Sequence, residues 1–163
     1  MSERSVYIPP EYVEGGKSII FLAGPIQGAP DWQSKAQEII NGINPEITIA
    51  SPKRPFNKDV QYNEQVDWET YHLRRAGGNG VIIFWLAKEE THVCERAYAQ
   101  TTRGELFEWK VKHERDGAKI VIGIEEGFSG TKYIKRRFSQ DCPDVQILST
   151  LEDTCKAALD LLA

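Results

Sequence analysis

"GVIIFWL", residues 80–86, is the stretch that decides the fold: a glycine followed by apolar side chains in unbroken succession. A strand with one wet face alternates apolar and polar residues, whereas an unbroken run calls for cover on both faces. The same texture recurs on either side. "SIIFLA" (18–23) and "EITIA" (46–50) precede it, and "KIVIGI" (119–124) and "DVQIL" (144–148) follow. All are short and rich in Ile and Val, as strands buried on both faces should be.

Helical stretches lie between these runs. The first follows Pro30-Asp31, where Asp31 is a natural N-cap, and puts Trp32, Ala36, Ile39, Ile40 and Ile43 on one face. The second spans about 63–76 and stops at Gly77-Gly78. The third starts near Thr102 and ends near Arg115, before Asp116-Gly117. A fourth occupies about 130–138, and the last follows Thr150 with Leu151, Cys155, Ala158, Leu159 and Leu162 as its stripe. Strand and helix thus alternate, which predicts an α/β domain over residues 18–163: a doubly wound five-stranded parallel sheet in a flavodoxin-like three-layer sandwich. Residues 1–17, with Pro9-Pro10 and Gly15-Gly16, read as an N-terminal arm. Ligands of such folds bind beyond the carboxyl ends of the strands, so the loops after residues 23, 50, 86 and 124 are the places to look.

Composition narrows the chemistry. The 163 residues are 40% apolar and 27% charged, ordinary for one globular domain. A net charge of -4 with a pI near 5.5 gives no general attraction to nucleic acid or to an anionic membrane. Three cysteines without a CxxC point to a reducing, cytoplasmic setting. Three histidines show no ligand spacing, so neither a metal nor another cofactor is expected. No apolar run reaches the roughly 18 residues of a membrane span, and the N-terminus lacks a signal-peptide core.

Three segments carry chemistry-bearing residues. "AGPIQGAPDW" (23–32) follows the first strand, but it has neither G-x-G-x-x-G nor P-loop spacing. Its glycines either admit a ligand to the backbone or simply make a tight turn. In "QVDWETYHLRRA" (65–76), Val66, Leu73 and Ala76 mark an apolar stripe with Glu69 among them. A carboxylate there either faces a cavity or bends out to pair with an arginine such as Arg74. Asp67 and Trp68 flank it, Trp68 as a surface for a flat ring. In "TTRGELFEW" (101–109), Thr102-x-x-Glu105 fits a capping box. The same first-turn position would hold a nucleophilic carboxylate charged through the helix dipole. Two carboxylates in one cleft, one charged and one able to carry a proton, suit cleavage of a glycosidic bond with retention.

"IFLAGPI", "VDWETYHL", "GVIIFWL" and "RAYAQTTRGELFEW", in that order over roughly residues 18–125, resemble the nucleoside 2-deoxyribosyltransferase family and its Trp-rich transferase-like branch. The resemblance implies that Glu105 is the nucleophile attacking the anomeric carbon, with the sugar held as an ester until another base takes it. It implies that Glu69 contacts the base and handles its proton. Gly24, Pro25, Ile26 and Gln27 would line the sugar and base pocket, with Asp31 and Trp32 beside them. Phe21, Ala99 and the C-terminal segment depart from better-known members: a tyrosine hydroxyl, a sugar-holding aspartate and an asparagine from a neighbouring subunit are not matched. Trp32, Trp68, Trp85 and Trp109 are candidate stackers, and Lys53-Arg54 and Arg103 are candidates for a phosphate site or for ordinary surface charge. The implied partners are a small nucleoside or nucleotide, a free nucleobase and further copies of the chain. A hydrolase and a non-catalytic nucleotide-binding module remain open.

Overall fold

In the structure, a computed structural model that describes residues 5–163, the runs become strands of one wholly parallel sheet. The elements are β1 (Val6–Tyr7), β2 (Ile19–Ala23), α1 (Trp32–Ile43), β3 (Thr48–Ala50), α2 (Tyr62–Gly78), β4 (Gly80–Leu86), α3 (Gln100–Asp116), β5 (Ile120–Ile124), α4 (Thr131–Asp141), β6 (Ile147–Leu148) and α5 (Leu151–Leu162). The strand order is β1-β3-β2-β4-β5-β6. The GVIIFWL run is central, with Ile20 opposite Val81 on one side and Ile122 opposite Phe84 on the other. Every residue from Val81 to Leu86 is buried, as its lack of alternation requires.

Alternate side chains of each strand feed two cores. Phe21, Ile82, Phe84 and Ile122 pack beneath α2, α3 and α4 with Trp68, Leu106, Trp109 and Phe138. Ile20, Leu22, Val81, Ile83 and Val121 pack beneath α1 and α5 with Trp32, Ala36, Ile40 and Ala158. The result is a three-layer, flavodoxin-like sandwich.

The sheet has six strands rather than five, because part of the N-terminal arm pairs with it. Val6 and Tyr7 run parallel to Ile49 and Ala50 as an edge strand. Two residues are too few for periodicity to reveal a strand. Residues 1–4 of the arm lie outside the described residues. The rest of the arm is strapped to α2. Trp68 Nε1–H donates to the Glu11 carbonyl at 2.6 Å, and the buried Val13 donates its N–H to His72 Nε2 at 3.1 Å. Arg75 donates to the carbonyls of Val13, Gly15 and Lys17. His72 is fully buried, and its Nδ1 lies 2.8 Å from the Trp68 carbonyl. Since Nε2 must accept, the proton sits on Nδ1 and the ring is neutral. Burial, the largest cause, keeps its pKa below the ordinary value.

Two helix boundaries differ from the expected ones. Helix α2 continues through Gly77-Gly78 to an Asn79 cap. Gly77 is there for close approach, since a Cβ on it would come 2.1 Å from the Trp109 ring of α3. Helix α3 starts before Thr102, behind an Ala99 cap in the left-handed region at φ 58°. Helices α1 and α5 begin as expected, with Asp31 and Thr150 accepting from Ser34 N–H and Asp153 N–H.

Candidate active site

The chain leaves β2 towards β3 on one side and later returns to β4 on the other, so the direction of winding reverses at β2. Beyond the carboxyl ends of these strands lies a cleft of about 790 Å³. One wall is the loop after β2, with Gly24, Pro25, Ile26 and Gln27. A second comprises the loop after β3 and the start of α2, including Arg54, Phe56, Tyr62, Gln65 and Glu69. The third is the loop after β4 and the start of α3, including Arg96, Tyr98, Thr101 and Glu105. The structure therefore brings Gly24, Pro25, Ile26, Gln27, Glu69 and Glu105 to one place.

Both carboxylates are perturbed, and Glu105 feels the charge of Glu69. Glu105 is half-buried, and its pKa is pushed up to about 8, first by loss of solvent and then by the charges of Glu69 and Glu108. Burial raises the Glu69 pKa as well, opposed by a hydrogen bond from Gln65 and by the charges of Arg54 and Arg96. Gln65 Nε2 donates both to Glu69 Oε1 at 2.9 Å and to the Pro52 carbonyl at 3.1 Å. It thereby ties the carboxylate to the loop after β3.

This corrects the first-turn reading of Glu105. Because α3 opens at Gln100, Glu105 falls in its second turn, and no side chain caps the helix. The capping box is not made, and the helix dipole is too weak that far in to hold the group ionised. In the resting pair the proton belongs mainly to Glu105.

Other expected site residues serve structure instead. Asp31 stays off the cleft, capping α1 and pairing with Lys53 at 3.0 Å. Trp32 is buried behind Gly24 and donates to the Pro25 carbonyl at 2.9 Å. A Cβ on Gly24 would come 2.4 Å from that indole and 2.4 Å from the Trp85 carbonyl, so close packing explains this glycine. Trp68 lies in the core, Trp85 faces α1 and α5, and Trp109 packs on Gly77. Indoles are large enough to anchor helices onto a sheet, and none of these lines the cleft. Asp67 is exposed on α2, away from the cleft. Arg103 lies over the Phe128 ring at 4.3 Å and donates to Ser129 and to the Tyr98 carbonyl, joining α3 to the loop after β5.

Gln65, Arg96 and Tyr98 were not anticipated. Gln65 stands one helical turn before Glu69, a spacing that could have flagged it. Arg96 and Tyr98 lie in a loop without periodicity, which gave no signal. The Tyr98 hydroxyl donates to the Ala87 carbonyl at 2.6 Å, and burial holds its pKa at about 12, so it keeps its proton. Among the described residues no three or more His, Cys, Asp or Glu side chains cluster in a way that could hold a metal ion, and no helix is long and apolar enough to cross a membrane.

A parallel α/β sheet with a glutamate pair in a cleft at its switch point is the setting of a small-molecule site. The family model described as nucleoside 2-deoxyribosyltransferase like matches residues 17–128, and the chain belongs to that family. No curated protein matches the chain.

Proposed function

We propose that the chain cleaves the N-glycosidic bond of a (deoxy)nucleoside and passes the sugar to another base through an ester of Glu105. The observation that carries this reading is the pairing of Glu105 and Glu69 across one cleft, where burial and the charge of Glu69 raise the demand of Glu105 for a proton. The shared proton first passes from Glu105 to Glu69, and in the forward step the freed Glu105 carboxylate bonds to C1′ as the C1′–N bond breaks. The bonding electrons leave with the base nitrogen, which takes a proton from Glu69. In the return step the nitrogen of a second base attacks C1′, gives its proton to Glu69 and frees the Glu105 carboxylate. Water in place of the second base makes the same residues a hydrolase.

Trapping tests this directly. A 2′-deoxy-2′-fluoroarabinosyl nucleoside slows breakdown of the ester, and peptide mass mapping should find the sugar on Glu105. A sugar found on Glu69, or on neither, removes the assignment. Incubation with a 2′-deoxynucleoside and a different free base then separates the outcomes. New nucleoside means transfer, and free base without exchange means hydrolysis. Unchanged substrate that still raises the melting temperature means a binding module.

The pair also sets a pH profile. The active form has lost one proton and kept one, so kcat/KM should be bell-shaped, with its alkaline limb near pH 8 where the last shared proton leaves. In Glu69→Gln that limb should vanish along with most of the rate. An alkaline limb that survives in this variant would assign it to another group.

Ile26, Phe56, Tyr62 and Val66 form an exposed apolar mouth to the cleft. In this reading a second copy of the chain covers it, which sedimentation would register as a dimer or larger species; a monomer at working concentration would exclude that.

A further inference from the structure

We propose that the cleft takes its substrate as a nucleoside 5′-monophosphate, with the phosphate held by Arg96, Arg54 and the start of α3. The turnover expected below rests on the glycosidic reading above; the choice of a phosphorylated ligand does not.

The first observation concerns what the two guanidiniums touch. Arg96 lines the cleft from the loop after β4 and donates to Gln27 Oε1 at 2.9 Å and Thr101 Oγ1 at 3.4 Å. Arg54 lines it from the loop after β3 and donates to the Lys58 carbonyl at 2.8 Å. All these acceptors are neutral. Elsewhere Lys53, Lys110, Lys112 and Lys156 each sit within 3.2 Å of a carboxylate oxygen. Among the described residues no arginine makes such a pair, and Arg54 and Arg96 are the arginines that line the cleft. Both act on Glu69 only through space. Each fork keeps N–H donors to spare, and that planar array matches two oxygens of a phosphate.

The second observation is the helix start that Arg96 adjoins. Helices α3 and α4 both lack a side-chain cap and an acidic residue in the first turn, and of the two only α3 starts on the cleft. Thr101 and Thr102 from that turn line the cleft. Uncapped N–H groups and the positive end of the helix dipole favour an anion there.

The third is spacing. Thr101 and Glu105 stand four apart on α3, so neighbouring positions on one helix face are about 5–6 Å apart. That is comparable to the reach from the anomeric carbon of a nucleotide, across the furanose ring and its methylene, to the 5′-phosphate. An anion at Thr101 therefore leaves C1′ opposite Glu105. Glu105 carries a proton at neutral pH, which spares a dianionic phosphate one repulsion.

The rival explanation is that the arginines only balance Glu69. It predicts equal effects on phosphorylated and unphosphorylated substrates, so the informative quantity is a ratio. The full chain is assayed by chromatography for base release and exchange with the four 2′-deoxynucleosides and their 5′-monophosphates. The expected kcat/KM for the preferred monophosphate is at least tenfold that of its parent nucleoside. Arg96→Gln and Arg54→Gln should each cut this ratio tenfold or more, with Arg96→Lys retaining part of it. A ratio near one, or a ratio indifferent to all these variants, overturns the proposal and leaves the glycosidic reading intact. If no substrate turns over, the glycosidic reading falls, and equilibrium dialysis with the same eight compounds decides. Monophosphate binding at least tenfold tighter than nucleoside binding, and lost in Arg96→Gln and Arg54→Gln, upholds the phosphate site. Equal binding, or none, overturns it.

Discussion

Glu105→Gln is expected to lower turnover by about a thousandfold or more, because an amide neither attacks C1′ nor leaves as a carboxylate. The fold should survive, and one aspect of it should improve. Glu105 has a folded pKa of about 8 against an ordinary value of 4.5, so between those values the folded state holds a proton that the unfolded chain releases. Its contribution to stability is complete below about pH 4.5 and is lost as pH rises to about 8. Glutamine does not titrate. The variant should therefore match the parent near pH 4 and exceed it at pH 9, by something on the order of 1–3 kcal/mol after screening by the open cleft. His72 works with the opposite sign: its lowered pKa makes stability fall as pH drops below the ordinary histidine value. Urea unfolding at pH 4, 7 and 9 separates the two groups. Full turnover in Glu105→Gln would end the ester mechanism, and an unchanged alkaline stability would mean that Glu105 is not the buried proton holder.

The sandwich was legible because its cause lies in local texture. Strands covered on both faces must be continuously apolar, and GVIIFWL and SIIFLA are. Helix periods set between them leave little besides a doubly wound sheet. The edge strand was not legible, since Val6-Tyr7 acquires its meaning only from Ile49 and Ala50 beside it. Within the site, Glu105 and Glu69 stood out because a carboxylate among apolar neighbours needs a reason. Their ionisation did not, because it depends on the distance between two helices. Asp31, Trp32, Trp68, Trp85 and Arg103 fail as ligand contacts for a common reason. Residue type names the surface a side chain offers, and only packing says which way it is turned. Trp32 and Trp85 occupy the layer on the α1 and α5 side, while Arg96, in a stretch without pattern, reaches the cleft.

Trp68 shows the difference most sharply and carries the largest expected effect on stability. It is fully buried, its ring 4.1 Å from that of His72 and 6.1 Å from that of Phe21, and its indole N–H holds the Glu11 carbonyl. Trp68→Ala removes a large core side chain and opens a cavity between α2 and the sheet, at a cost of about 3–5 kcal/mol. The arm loses its anchor in the same step, so limited proteolysis should cut between residues 8 and 17 faster than in the parent. Trp68→Phe fills most of the space and lacks only the hydrogen-bond donor. It should cost about 1 kcal/mol plus a packing remainder, with the same direction of change in arm protection. Neither effect involves the cleft, so a base-stacking role makes a contrary forecast for the phenylalanine variant. A flat ring would persist there, stability would hardly change, and KM for the nucleoside would move. Denaturation and KM measured together on Trp68→Phe decide between the two. Lost stability with an unmoved KM places this indole in the core that holds α2, and hence Glu69, in position.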